Sequence, residues 1–441
     1  MRLRVLVLGL FLLVAGCGSA GGTGAVSEHL VRADVPRAEG SVSPADAAAL
    51  RDGNAVFAGR LLAAVAVVGS ERNVALSPAS ISDAVSMAFA GARGTTASEM
   101  ASAFDFRLPP ARLAGAFNAA DRSLAAVNGP EVTLNVANAL YGQAGQRFHQ
   151  AFLRVLARDY GAGLRTAGFE RATEAARAQI NAWVSAQTAG KIPELLGPGD
   201  VDPLTRLMVA NAVYLKARWA APFTKAATFP AVFHASGGAV QVPMMHQTAS
   251  FGYRQGAGYQ ALELPYRGGR LAFDILLPSP GGLESLLSRL AGEGPLALLS
   301  ELRQQRVQLA LPKLRLDTRF ELADALRTLG MRLAFEPGAA DLSGIAGRPG
   351  DLYIHSVVHE AYLNVDEAGT EAAAATGVGM SATALPAQPP IDFSVDRPFV
   401  FVLRDRGTGA VLFTGVVSHP RLLRHNLGAC TSTPNGCTSV R

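Results

Sequence analysis

The chain has 441 residues, of which 49% are hydrophobic and 17% are charged, and its formal net charge is +5. This length is sufficient for a large core in one or two domains. The positive charge is too small and too dispersed to indicate a nucleic-acid-binding protein.

The N-terminus has the pattern of an export signal. Arg2 and Arg4 precede an apolar run from Val5 to Val14, which is shorter than the ~20 residues of a transmembrane helix. Cys17 follows a Val-Ala-Gly tripeptide, as in a bacterial lipobox, where the thiol is diacylated and becomes the first residue. We therefore predict a lipoprotein signal peptide over residues 1–16 and lipidation of Cys17. A plain signal peptide that happens to contain a cysteine is the alternative.

Lipidation would anchor the protein to the lipid bilayer of a bacterial envelope, at the outer membrane or cell surface and outside the cytoplasm. Residues 17–42 are rich in Gly, Ala, Ser and charged residues without an apolar period, which predicts a flexible tether. Residues 421–441 form a polar tail containing Cys430 and Cys437. In an oxidising compartment we expect these two to form a small disulfide loop, with two free thiols as the alternative.

Between residues 43 and 420, helical and strand-like patterns alternate without a repeat or a clear linker, which predicts one α+β domain. Apolar residues at helical spacing predict helices over residues 44–68, from Pro78, and over 110–127, 147–159 and 171–187. Strands are predicted over 132–141, 207–215, 239–245, 259–265, 271–277, 305–316 and 352–366, with a closing hairpin of 399–403 and 411–417.

The segment that follows the predicted strand 352–366 is suited to burial but is poor strand material. At the two-residue period of a strand, one face carries small and then apolar residues: Thr370, Ala372, Ala374, Thr376, Val378 and Met380. The other face carries polar or very small residues: Glu371, Ala373, Ala375, Gly377, Gly379 and Ser381. The alanines and glycines favour helix or loop over strand. This combination predicts an element with two alternative conformations.

The run Glu367-Ala368-Gly369-Thr370-Glu371, followed by four alanines and Thr376, resembles the hinge of inhibitory serpins. Other serpin-like motifs occur in the family's order: Asn73–Thr96, Ala137–Tyr141, Asn211–Trp219, Leu262–Tyr266, Leu311–Lys313, Pro398-Phe399 and Val411–Gly415. On these motifs the chain is identified as a member of the serpin family. The resemblance implies a monomer with three β-sheets, about eight to nine helices and an exposed reactive-centre loop.

The resemblance implies an inhibitor of serine proteases that acts as a suicide substrate. The protease cleaves the loop, whose N-terminal arm then inserts into the central sheet and traps the acyl-enzyme. The reactive bond falls at Thr383-Ala384, within a residue or two. The segment from Thr370 to Pro390 holds no Arg or Lys, which indicates an elastase-like or subtilisin-like target.

Residue roles also follow from the resemblance. The hinge comprises Glu367, Gly369, Thr370, Glu371, Ala372, Ala373, Ala374, Ala375 and Thr376. A polar cluster beneath the strands that must part, the shutter, comprises Ser77, Ser80, Asn211 and His359. Trp219 corresponds to the tryptophan of the breach, where insertion begins; the alternative is an ordinary core aromatic.

Enzyme functions find little support. The sequence has no Gly-x-Ser-x-Gly motif, and the run from Gly91 to Thr96 lacks the lysine of a phosphate-binding loop. His355 and His359 lie in a strand-like run, where four residues span about 13 Å, too far for a shared metal. We therefore expect no enzyme activity, cofactor or metal. A non-inhibitory serpin serving as a surface-binding or chaperone-like protein is the alternative function.

Overall fold

The computed structural model describes residues 29–66, 70, 72–371 and 389–420. The helices of these residues are α1 (Pro44–Val65), α2 (Pro78–Phe89), α3 (Gly94–Phe104), α4 (Pro110–Ala125), α5 (Gln150–Asp159), α6 (Thr173–Gln187), α7 (Leu283–Glu293), α8 (Pro295–Leu298) and α9 (Ala323–Thr328). The strands are β1 (His29–Val31), β2 (Val74–Leu76), β3 (Val132–Gln143), β4 (Leu164–Ala167), β5 (Leu207–Arg218), β6 (Thr228–Ala235), β7 (Gly238–Gly256), β8 (Tyr259–Pro265), β9 (Leu271–Pro278), β10 (Arg303–Pro312), β11 (Leu314–Glu321), β12 (Ser356–Asp366), β13 (Gly369–Thr370), β14 (Ile391–Ser394), β15 (Phe399–Asp405) and β16 (Val411–Val417).

These elements confirm the α+β class, and the nine helices of the described residues agree with the expected number. Pro44 and Pro78 open α1 and α2, where a missing N–H costs no intrahelical hydrogen bond. Ser43 caps α1 by accepting a hydrogen bond from the N–H of Asp46 at 3.1 Å. Within the described residues, no helix has both the length and the hydropathy to cross a membrane.

The strands form two hydrogen-bonded sheets in the described part of the chain. The seven-stranded sheet has the order β1-β4-β3-β5-β13-β12-β11, and β5 also pairs directly with β12. The nine-stranded sheet has the order β14-β10-β7-β8-β9-β15-β16-β2, with β6 on β7. The resemblance implied three sheets. Strand β7 pairs with β6 over its first part and with β8 over its last, so its continuous backbone joins two of them.

Strand β5 is buried on both faces, as its apolar run predicts. One face belongs to the core between the two sheets, with Leu215 packed among residues such as Phe273. The other face packs under α6, where Tyr214 joins Ile180 and Val184. The centre of the seven-stranded sheet is therefore enclosed between the second sheet and α6.

The second half of the predicted tether, residues 29–42, is folded onto the domain. Strand β1 pairs antiparallel with β4 and so covers the edge of the seven-stranded sheet. Arg37 donates hydrogen bonds to Asn118 at 2.8 Å and to Asp121 at 2.5 Å, both on α4. Ala33 and Val35 also pack against the core. These contacts offset the conformational entropy that residues 29–42 lose when they fold onto the domain. Residues 17–28 of the predicted tether lie outside the described residues.

Candidate strand-insertion site

The first residues of the predicted hinge already form a strand in the centre of the seven-stranded sheet. Strand β13 lies between β5 and β12, and its Thr370 pairs with Ala217 on one side and Val365 on the other. Gly369 has a φ of +151°, and an added Cβ would lie 2.1 Å from the carbonyl oxygen of Ala217. This position therefore requires glycine. The sheet thus accepts the first hinge residues as an additional strand between the C-terminal ends of β5 and β12.

Trp219 contacts this strand directly. Its indole N–H donates to the carbonyl oxygen of Asp366 at 2.9 Å, and its backbone N–H donates to that of Ala368 at 3.0 Å. The indole stacks on Tyr266 with ring centroids 4.5 Å apart. The phenol of Tyr266 in turn hydrogen-bonds to the hydroxyl of Thr370 at 2.6 Å. Trp219 is thus a buried aromatic that also binds the hinge backbone.

Glu367 is held by a set of polar contacts at the turn that leads into β13. Lys313 lies 2.9 Å from its carboxylate, and the hydroxyl of Thr228 donates to the other oxygen at 2.9 Å. The backbone N–H of Phe223 donates to the Glu367 carbonyl at 2.8 Å. Burial raises the pKa of this carboxyl, but the hydrogen bonds and charge of Lys313 outweigh it and lower the pKa overall. Glu367 therefore stays ionised and fixes the turn.

Glu371 is the last described residue before the loop. Its N–H donates to the carbonyl of Asn364 at 2.7 Å, and its carboxylate forms an ion pair with Lys191. Its φ of +48° lies in the left-handed region, so Glu371 itself is not in an extended conformation. The rest of the predicted hinge and reactive bond lies outside the described residues: Ala372, Ala373, Ala374, Ala375, Thr376, Thr383 and Ala384.

Toward the N-terminal ends of β5 and β12, beyond β13, these two strands pair directly with each other. Met208 to Tyr214 of β5 pair in parallel with Ser356 to Tyr362 of β12. We call this parallel ladder the seam. Any longer inserted strand must enter between these two strands and replace their mutual hydrogen bonds.

The four predicted shutter residues lie together beneath the seam. The N–H of Ser77 donates to Nε2 of His359 at 3.1 Å, which leaves Nδ1–H to donate to the amide oxygen of Asn211. The amide nitrogen of Asn211 donates to Ser80 at 2.5 Å and also to Asn138. His359 is fully buried, and burial lowers its pKa to about 3, so it is neutral. The cluster links α2 to β3, β5 and β12.

The sequence reasoning missed two members of this network. Asn138 accepts a hydrogen bond from Ser80 at 2.9 Å and donates one to Asp83 at 2.7 Å. Burial raises the pKa of Asp83 to about 7, with Asp121 contributing in the same direction. Asn138 was visible within the Ala137–Tyr141 motif, and Asp83 follows Ser80 by three residues, which places both on one face of a helix.

The comparisons with known proteins agree with this arrangement. A family model described as serpin (serine protease inhibitor) matches residues 52–420. The chain belongs to the serpin family. This membership covers the helices and sheets that build the hinge, the seam and the shutter.

Relatives of this serpin include animal and archaeal proteins. The human leukocyte elastase inhibitor is 37% identical over 382 residues, which cover 84% of this chain and 99% of that protein. A serpin-like protein of Thermococcus kodakarensis is 39% identical over 359 residues, covering 80% of this chain and 82% of that protein. The crystal structure of Serpin48 from the insect Tenebrio molitor superposes with a TM-score of 0.74 at 31% identity, covering 84% of this serpin and 98% of that chain.

Several other predicted sites of this serpin lie outside the described residues: Cys17, Cys430 and Cys437. Within the described part, no group of three His, Cys, Asp or Glu side chains is arranged to hold a metal ion. The family and its inhibitor relatives support a protease-inhibitor assignment rather than an enzyme.

Proposed function

We propose that this serpin inhibits serine proteases as a suicide substrate whose reactive loop inserts between β5 and β12. The observation that carries the proposal is the position of β13. Gly369 and Thr370 are hydrogen-bonded to both neighbouring strands, and only small residues, Ala372–Ala375, follow Glu371 in the sequence. The beginning of the additional strand is therefore in place, and the next four residues are small enough to follow it into the sheet.

The covalent step proceeds as ordinary acyl transfer. The serine Oγ of the protease attacks the carbonyl carbon of Thr383, and the bond to the nitrogen of Ala384 breaks. The amine of Ala384 leaves with a proton supplied by the protease's general acid. The ester joins Thr383 to the protease, and the freed arm, residues 371–383, then enters the seam.

Insertion is favourable because two antiparallel ladders replace the single parallel ladder of the seam. The parallel ladder between β5 and β12 is lost, and β13 extends as a strand antiparallel to both. Parallel pairs are slightly less stable per residue than antiparallel pairs, and two ladders replace one. The loop backbone thus gains partners on both sides. An ester-linked protease would be carried along with the strand.

The expected target has a pocket for a small or apolar side chain. Residues near the predicted reactive bond are uncharged: Met380, Ser381, Ala382, Thr383, Ala384 and Leu385. We propose an elastase-like or subtilisin-like protease. The leukocyte elastase inhibitors among the relatives support the first of these classes.

We also propose that the inhibitor is lipid-anchored through Cys17 to a bacterial envelope. Because residues 29–42 are folded onto the domain, only residues 17–28 remain to act as a tether, with a reach of roughly 20 Å. Labelling with palmitate tests this proposal. Wild type should take up the label and Cys17→Ala should not; equal labelling would exclude Cys17 as the site.

The inhibitory mechanism is tested with the chain from Gly18 to Arg441, which retains the folded residues 29–42. It is mixed with pancreatic elastase and with subtilisin, and a covalent complex that survives denaturing electrophoresis is expected. Mass spectrometry of the released peptide should show a new N-terminus at or beside Ala384. A protease whose catalytic serine is replaced by alanine is the matched control and should form no complex.

Two outcomes would contradict the proposal. One is cleavage of the loop without a stable complex at any ratio of the two proteins. The other is a cleaved protein that melts at the same temperature as the intact one, because an inserted strand must raise thermal stability. Either result would favour the alternative function, a non-inhibitory surface protein.

A further inference from the structure

Lys191 lies where the seam must begin to open. It follows α6 in a tight turn, in which its N–H donates to the carbonyl of Thr188 at 3.0 Å. The next residue, Ile192, is fully buried. The backbone of Lys191 is therefore fixed on both sides, and its side chain extends over the sheet with 37% exposure.

The ammonium of Lys191 contacts both edges of the seam at once. It lies 5.9 Å from the ring centroid of Tyr214 on β5 and 5.9 Å from that of Tyr362 on β12. The two rings are themselves 6.2 Å apart. The same ammonium forms the ion pair with Glu371 of the hinge. One cation thus joins α6, the two central strands and the first loop residue.

Tyr214 and Tyr362 are the last pair of the parallel ladder on the side of β13. Thr370 pairs antiparallel with Ala217 and Val365. Continuing that antiparallel register by three residues brings Ala373 opposite both tyrosines. The tyrosine pair is therefore the first pair of the seam that an advancing strand must separate.

We propose that Lys191 is a positioning residue that acts as a latch, holding the seam closed and limiting the rate at which the loop inserts. This inference deepens the proposed inhibitory function and rests on it. When Ala373 enters, the two rings separate by the width of an added strand, and the ammonium loses its contact with at least one of them. Lys191 consequently stabilises the closed seam more than the opening one.

The size of the effect follows from the contacts. A cation–π contact and a partly exposed ion pair are both weak, so losing the latch should accelerate insertion about fivefold to tenfold. Faster insertion leaves less time for the acyl-enzyme to hydrolyse. The number of inhibitor molecules consumed per protease should therefore fall.

The test compares Lys191→Met, which keeps the length of the side chain, with Lys191→Arg, which keeps its charge and its stacking on tyrosine. The matched control is Lys216→Met, an exposed lysine on the same strand as Tyr214. Two rates are measured for each variant of the Gly18–Arg441 chain. One is the annealing of a synthetic peptide with the sequence of residues 371–383, followed by the gain in thermal stability. The other is the formation of the covalent complex with elastase or subtilisin, together with its stoichiometry.

We expect Lys191→Met to anneal the peptide about fivefold to tenfold faster and to lower the stoichiometry, whereas Lys191→Arg and Lys216→Met stay within about twofold of wild type. An unchanged or slower rate in Lys191→Met would overturn the latch. Absence of a complex with wild type would instead contradict the proposed inhibition. The peptide assay contains no protease, so the two failures remain distinguishable.

Discussion

The phenol of Tyr266 lies 2.6 Å from the hydroxyl of Thr370, in a site from which solvent is excluded. Tyr266 stacks on Trp219, and the indole of Trp219 binds the carbonyl of Asp366 just before the hinge. The first side chain of the additional strand is therefore enclosed by aromatic rings with a single polar partner. A residue at position 370 must be small, and it must be uncharged.

Replacing Thr370 with arginine should convert the inhibitor into a substrate. A guanidinium at position 370 would be buried against the rings of Tyr266 and Trp219, and burying a charge is very costly. The arginine should keep the hinge out of the sheet, since an exposed hinge costs only the contacts of β13. We expect Thr370→Arg to fold, to be cleaved at the normal bond and to give less than about a tenth of the wild-type complex on denaturing gels.

Thr370→Val is the matched control, because it keeps the shape and loses only the hydroxyl. It should still form the complex, with a native state destabilised by about 1–3 kcal/mol through the unpaired phenol. Inhibition by Thr370→Arg at the wild-type level would show that insertion at this site is not the mechanism.

Removing the hydroxyl of Tyr266, the other partner of this hydrogen bond, gives a second prediction. Tyr266→Phe leaves the buried hydroxyl of Thr370 without its hydrogen bond and should lower the free energy of unfolding by about 1–3 kcal/mol. Tyr253→Phe is a suitable comparison, since that phenol bonds Gln255 at the surface, 2.8 Å away. Urea midpoints of the two variants give the difference. Equal midpoints would mean that the Tyr266–Thr370 bond contributes nothing to the native state.

Most of the fold was accessible from the sequence because its elements carry strong local signals. The prolines that open α1 and α2, the apolar run of β5 and the alternation of β3 all lie where the pattern predicts. Short elements gave weaker signals. Strands β1, β2, β4, β6 and β14 and helices α7 to α9 were not predicted, and most of these elements are short.

Strand β1 shows why such elements are missed. Its residues, His29 to Val31, have no apolar period of their own, and they become a strand only because β4 presents an unpaired edge. The residues of the candidate site divide in the same way, into those that the sequence reveals and those that depend on distant contacts. The shutter residues came from family motifs, whereas Lys191 belongs to no motif, and its role depends on how a turn after α6 lies over Tyr214 and Tyr362. Sequence spacing contains no information about that contact.

The shutter histidine predicts a loss of stability in weak acid. Burial lowers the pKa of His359 to about 3, against 6.5 ordinarily, because the charged imidazole is excluded from the interior. Between these values the unfolded chain binds a proton that the native protein does not, so stability falls as the pH drops below about 6.5. At pH 5 the loss from this residue should be about 2 kcal/mol relative to pH 8.

The comparison variant is His359→Gln, whose amide can accept from Ser77 and donate to Asn211 without titrating. Unfolding in urea is followed at pH 5 and pH 8 for both proteins. From pH 8 to pH 5, the free energy of unfolding of wild type should fall by about 2 kcal/mol more than that of the variant. The same loss in both proteins would place the acid sensitivity elsewhere.

Asp83 predicts a change of the opposite sign. Burial raises its pKa to about 7 from 3.8, so the native protein binds a proton here that the unfolded chain releases, and stability falls as the pH rises toward 7. Asp83→Asn keeps an acceptor for Asn138 and removes the charge. From pH 5 to pH 8, the free energy of unfolding of Asp83→Asn should rise by about 2–3 kcal/mol relative to that of wild type. The contribution of His359 cancels in this difference because His359 is present in both proteins. Asp52→Asn, at a partly exposed aspartate on α1, is the comparison variant in urea unfolding. An advantage that is constant with pH would mean that Asp83 is ionised in the native protein throughout this range.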